Sequence, residues 1–159
     1  MKNYYCIGLD ISTSIIGLCI FEGRNFKKMC YVDLTKTKCI FEKALKFEKF
    51  LNSLVCSLKG EIKNIYIEDT MQSFARGLSS AKTLMTLSKF NGIVSNITFK
   101  ETNIKPVYLN VNTARKTLGI KIDKNSDKDK KVQVLEWVNL DLNGYEWSTK
   151  VISRGKNKG

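Results

Sequence analysis

The 159-residue chain contains no histidine and a single proline, Pro106. Without histidine there is no Ser-His or Cys-His nucleophile pair, no His-ligated zinc and no imidazole base. Any catalysis must therefore use carboxylates, lysine, tyrosine or a bound metal. The cysteines do not suggest a disulfide frame or a zinc site: Cys6, Cys19, Cys30, Cys39 and Cys56 are an odd number, and none forms a CxxC pair. They read as reduced core thiols of an intracellular, cytoplasmic protein. No run approaches the roughly 18 to 20 apolar residues that a membrane span needs. The start, Met1-Lys2-Asn3 and then a strand-like run, lacks the small-residue cleavage site of a secretory signal.

What the chain has in abundance is positive charge. It carries 27 Lys and Arg against 15 Asp and Glu, a net +12, with a pI near 9.5. Such a balance points to a polyanionic partner, nucleic acid foremost, or to a basic surface kept for solubility. With 43% hydrophobic residues the chain is rich enough in apolar side chains to fold, and its length suits one domain over residues 1–159.

The pattern is organised around Tyr4 to Phe21. Two β-branched-rich runs, Tyr4–Asp10 and Ile15–Phe21, flank the polar turn Ser12-Thr13-Ser14 and read as a strand, a turn and a returning strand. Glu22-Gly23-Arg24-Asn25 is a second turn, and Phe26–Leu34 suits a third strand. From Lys43 to Lys59 the period changes, and Leu45, Phe47, Leu51, Leu54, Val55 and Leu58 share a helical face, with Gly60 as the stop. Ile62–Glu68 is a strand, Asp69–Gly77 a loop, and Leu78–Ile97 a helix with Leu84, Leu87, Phe90, Ile93, Val94 and Ile97 inward. Pro106–Leu109 is a strand and Val111–Leu118 a short helix. Ser126-Asp127-Lys128-Asp129 resembles a capping box opening a helix to about Leu142, with Val132, Leu135, Val138 and Leu142 inward. A meander followed by strand–helix–strand units predicts an α/β fold with a mixed sheet.

Asp10 and Glu68 end two strands that this topology can set side by side in parallel, about 4.8 Å apart. Two such carboxylates can share a divalent ion, and hard oxygen ligands suit Mg²⁺ or Mn²⁺. The other reading makes Asp10 a turn cap and Glu68 a solvated strand end.

Gly8-Leu9-Asp10-Ile11-Ser12-Thr13-Ser14, with Gly17 following, resembles the first motif of RuvC-type Holliday junction resolvases, members of the ribonuclease H-like superfamily. Ile67-Glu68-Asp69 with Gln72-Ser73-Phe74 resembles the second. Ser80–Val94 is similar to the helix that follows, Arg115–Ile120 to a basic segment, and Asp129–Val132 to a later helix start. The overall look is of the phage-encoded versions. The resemblance implies a ribonuclease H-like, mixed five-stranded sheet, made of an antiparallel three-strand meander plus parallel strands and flanked by helices. It also implies an Mg²⁺- or Mn²⁺-dependent endonuclease that resolves four-way DNA junctions as a homodimer through the helix 78–97. Asp10 and Glu68 would be catalytic metal ligands. Phe74 would stack near the junction, or else belong to a satellite core, and Arg76, Lys82, Arg115 and Lys116 would meet phosphates. The family completes its metal site with a C-terminal D-x-x-D-A run. Asp127, Asp129 and Asp141 do not fit that run, so the expectation is a C-terminally incomplete chain with weak metal binding and one uncovered sheet face. Two further readings are a non-catalytic junction binder and a fragment of an actin-like or sugar-kinase ATPase.

Overall fold

The computed structural model describes residues 4–69, 81–123 and 125–141. Backbone contacts group the chain into two compact units, Met1–Leu118 and Gly119–Gly159. In the first unit, strands β1 (Tyr4–Ile11), β2 (Ile15–Glu22) and β3 (Asn25–Asp33) precede helix α1 (Ile40–Ser57). Strand β4 (Glu61–Glu68), helix α2 (Ala81–Thr102), strand β5 (Val107–Leu109) and helix α3 (Val111–Thr117) follow. The strands form one sheet in the order β3-β2-β1-β4-β5. β1, β2 and β3 pair antiparallel, whereas β4 runs parallel to β1 and β5 parallel to β4. This is the mixed α/β sheet of the ribonuclease H-like fold.

The meander follows from its turns. Gly23 holds φ +61° between β2 and β3, a left-handed conformation that glycine adopts without a Cβ penalty, and its N–H donates to the Tyr4 carbonyl at 2.9 Å. Along β1 and β2, residues alternate between faces. Ile7, Leu9, Ile11, Ile16, Leu18 and Ile20 point to one side and join Val32, Ile65 and Ile67 in the core. On the opposite face Met29, Tyr31, Val107 and Leu109 are exposed.

Helices α1 and α2 cover the core face. α1 buries Ala44, Phe47, Leu51 and Leu54, an i, i+3, i+4 stripe. The expected inward Leu45 is instead 56% exposed, because the stripe runs through Ala44, one position earlier. α1 also starts three residues before Lys43 and stops before Gly60. Its end is made by Leu58, whose extended backbone breaks the helix while its N–H bonds the Val55 carbonyl. α2 buries Phe90, Val94 and Ile97 as expected, together with Asn91, Ser95 and Thr98. Thr98 donates to the Val94 carbonyl at 2.8 Å and Ser95 to the Asn91 carbonyl at 2.7 Å, so these hydroxyls are satisfied within the helix. α2 continues five residues past Ile97, to Thr102, and ends at Asn103, where φ turns to +55°, a conformation asparagine tolerates.

In the second unit, helix α4 (Lys130–Asp141) begins later than the capping box predicts. Asp129 is the residue that caps it, accepting the Lys131 N–H at 2.9 Å, while Ser126 closes a local turn onto the Lys128 N–H. Val132 and Leu135, expected inward, are 42% and 46% exposed; the half-covered side is that of Gln133, Val134, Trp137 and Val138. The cysteines are free thiols as expected. Only Cys30 packs against the core; Cys6 and Cys19 are half-buried, and Cys39 and Cys56 are exposed. Burial, then the neighbouring Cys30, pushes the Cys19 thiol up to about 11, which leaves it an inert thiol at neutral pH. Among the described residues no helix is long and apolar enough to cross a membrane.

The packing of α1 makes a simple contrast. Phe47 is fully buried, so Phe47→Ala should lower stability by about 3–5 kcal/mol. Leu45→Ala should change it by about 0.5 kcal/mol or less. Urea unfolding followed by circular dichroism measures both.

Candidate metal centre

The two carboxylates of interest are placed by strand alternation. Leu9 and Ile11 enter the core, which turns Asp10 to the opposite face. Ile67 does the same for Glu68. The last register pair between β1 and β4 is Leu9↔Ile67, and Asp10 and Glu68 are the next residue on each strand. Parallel pairing thus sets both acids at one edge of the sheet. Across β2, Asp10 lies opposite Gly17, where the missing side chain leaves room beside the carboxylate.

The segments around the acids are tied down. The turn after β1 is capped by Ser12, whose Oγ donates to the Ile15 carbonyl at 2.8 Å and accepts the Ile15 N–H at 3.0 Å. The capping oxygen is therefore Ser12's, and Asp10 is not needed for the turn. Lys43 Nζ on α1 donates to the Thr13 carbonyl in the same turn. Beyond Glu68, the Asp69 N–H donates to the Leu109 carbonyl at 2.9 Å. Asn91, buried on α2, donates from Nδ2 to the Glu68 carbonyl at 3.4 Å, and its Oδ1 accepts from Ser95 Oγ at 3.2 Å.

Glu68 does not behave as an ordinary solvated strand end. Its side chain is exposed overall, but its carboxyl group is held above the usual carboxylate range. Loss of hydration is the largest cause, followed by the negative charge of Asp10 and a hydrogen bond shared with it; the nearby Arg115 guanidinium opposes all three. Two like charges at close quarters, partly stripped of water, form a site short of positive charge. That is the condition a divalent cation relieves. The donor set is two hard carboxylates, and no group of three or more His, Cys, Asp or Glu that could hold a metal occurs among the described residues. This set fits Mg²⁺ or Mn²⁺, because Mg²⁺ keeps several waters and needs only one or two carboxylates plus substrate phosphate.

Arg115 lies on α3, whose start is capped by Asn110 accepting from the N–H groups of Asn112 and Thr113. It is half-buried, whereas Lys116 beside it and Lys82 in the first turn of α2 are exposed. Phe74 and Arg76 lie outside the described residues. The structure brings Asp10 and Glu68 together and sets Arg115 near Glu68; Asn91 and Lys43, which hold the backbone around them, were not singled out by the sequence pattern. Asn91 carried a usable signal. It sits between Phe90 and Val94 on a helix, four residues before Ser95, where a polar side chain is buried only if it has a partner.

No family model matches the chain, and no curated protein matches it. Among solved structures, Thermus thermophilus RuvC in complex with a Holliday junction substrate superposes with a TM-score of 0.62 at 13% identity, over 90% of this chain and 81% of that one. A second structure of Thermus thermophilus RuvC gives 0.61 at 15% identity, over 92% and 85%. At these identities the likeness is one of fold.

The strained pair sets a pH dependence. A carboxyl group whose folded pKa is raised binds more protons in the native state than in the unfolded one, so stability falls as pH rises from its ordinary value of about 4.3 through the folded value. With chelator present, Glu68→Gln should raise the thermal midpoint at pH 7–8, and the gain should vanish below about pH 4. A midpoint that falls at pH 7–8 would show that the charge is not under strain. Differential scanning calorimetry across this range makes the measurement.

Proposed function

We propose that this chain is a divalent-metal-dependent DNA endonuclease acting on four-way junctions. The observation that carries the proposal is the adjacency of Asp10 and Glu68 at the ends of neighbouring parallel strands, with the Glu68 carboxyl under the negative charge of Asp10. The likeness in fold to RuvC and the net charge of +12 support the same reading. The motif resemblance, phage-like in character, supports it further.

In this reading Asp10 and Glu68 hold Mg²⁺ or Mn²⁺, which when bound activates water and stabilises the leaving oxygen of a phosphodiester. The chain's own part is to hold both carboxylates fixed in position at the strand ends. Parallel pairing sets their separation, Asn91 ties the end of β4 to α2, and Ser12 with Lys43 fixes the turn after Asp10. Arg115, Lys116 and Lys82 meet phosphates, positioning DNA without reading its sequence. Arg76 is assigned to the same role and Phe74 to stacking on an unpaired base. The reaction is hydrolysis: a water oxygen bonds to phosphorus, the bond to one sugar oxygen breaks, and that oxygen leaves with a proton. A homodimer through the helix 78–97 would present two such sites to the two continuous strands of a junction.

A second reading, a junction binder without cleavage, is supported by the net charge of +12 alone. One experiment separates the two. With Mg²⁺ or Mn²⁺, the chain should nick a labelled four-way junction and spare a matched duplex. Asp10→Asn and Glu68→Gln should each lose several kcal/mol of transition-state stabilisation, about a thousandfold or more in rate, with unchanged circular dichroism. Binding without cutting by the parent chain would favour the second reading, and cutting that survives both substitutions would remove the first.

A further inference from the structure

Strand directions bring several loops to the edge that carries Asp10 and Glu68. β1, β4 and β5 end there, the β1–β2 turn lies there, and β3 ends there before α1 begins. Arg115 and Lys116 follow β5, on one flank of the acid pair. On the other flank, beyond β2, the segment from the end of β3 into α1 holds Lys36, Lys38, Lys43 and Lys46. Nothing in the motif resemblance draws attention to these four.

Their placement is built. Lys43 Nζ donates to the Thr13 carbonyl in the turn after Asp10, and Lys46 Nζ donates to the Asp33 carbonyl at 2.8 Å. The two loops are joined to each other by the Leu34 N–H, which donates to the Ser14 carbonyl at 2.8 Å. A carbonyl partner fixes an ammonium without neutralising it, and two N–H donors remain on each. Lys36, Lys38 and Lys46 are exposed. The acids nearby in sequence are Asp33, which accepts the Thr35 N–H at 2.9 Å, Glu42 and Glu48, against Lys36, Lys38, Lys43, Lys46 and Lys49, so the segment keeps a positive excess. Of the four, Lys43 lies in the first turn of α1, where the helix dipole disfavours a cation, so helix stability alone does not account for it.

Resting on the nuclease reading above, we infer that Lys36, Lys38, Lys43 and Lys46 form a second phosphate-binding surface. A DNA backbone then crosses the acid pair with cations on both sides, Arg115 and Lys116 beyond β5 and these lysines beyond β2. Contacts on both flanks would hold the phosphate between them over Asp10 and Glu68.

The salt dependence of junction binding tests this, measured by fluorescence anisotropy in Ca²⁺ or chelator to prevent cutting. Each lysine–phosphate contact contributes about −0.9 to the slope of log K against log salt on duplex DNA. Lys36→Gln/Lys38→Gln/Lys46→Gln should therefore flatten the slope by about 2 to 3. The double change Lys36→Gln/Lys38→Gln keeps the Lys46 tether and should flatten it by about 2. The control is Lys59→Gln/Lys100→Gln/Lys105→Gln, an equal loss of charge from exposed lysines at the opposite end of the strands; it should leave the slope within about half a contact. Equal flattening by both triple variants, or none by the rim variants, would overturn the inference while leaving the nuclease reading intact. A parent chain that binds neither junction nor duplex would overturn both.

Discussion

The structure turns on an unfavourable contact: two carboxylates, on neighbouring parallel strands, facing each other at the sheet edge. Parallel pairing of β1 and β4 leaves them no choice, because the residues before them, Leu9 and Ile67, are locked in the core at 4% and 0% exposure. A one-residue slip of either strand that separated the acids would also turn that strand's core residues outward. The burial of the core face thus maintains the repulsion at the edge. The raised proton affinity of Glu68 is the visible result.

The surroundings of the pair are consistent with a site kept rigid against that repulsion. Ser12 closes the turn after Asp10, Lys43 ties the turn to α1, and Asn91 ties the carbonyl of Glu68 to α2. Asn91 would be an expensive residue in an apolar core without such bonds. With them it links the helix packed on the sheet to the strand end that carries an acid. Arg115 supplies part of the missing positive charge from α3, itself fixed by the Asn110 cap directly after β5. A bound divalent cation and an approaching phosphate are the two partners that would complete the balance. The basic surface on both flanks suits the second of them.

Much of this was legible from residues. Alternation in the first two strands, the polar turn between them and the strand–helix–strand units that follow were enough to predict the mixed sheet, and Asp10 and Glu68 at the ends of β1 and β4 made their meeting one of two readings. Helical faces were legible where apolar residues were dense, as in Phe47, Leu51 and Leu54. They were misread where a small residue carried the contact, as Ala44 does in place of Leu45. The helix end at Leu58 was hidden because it depends on backbone bonds rather than on Gly60. The α4 start was misplaced because Ser126 and Asp129 both favour caps and local sequence does not rank them. Lys43 escaped because its partner is a main-chain carbonyl, which has no signature in the sequence; Asn91 was legible only as a polar residue inside an apolar helix stripe, not as a tie to Glu68. The same holds for the corner formed by α1 and the end of β3, which exists only once the meander is closed.

The central claim is that Asp10 and Glu68 together hold a divalent cation. A crystal grown with Mn²⁺ and measured near the manganese absorption edge tests it directly. One or two anomalous peaks are expected about 2.0–2.3 Å from carboxylate oxygens of both residues, with water or phosphate oxygen filling the remaining positions. Carboxylates bare of any peak, or peaks confined to acids elsewhere on the surface, would contradict it.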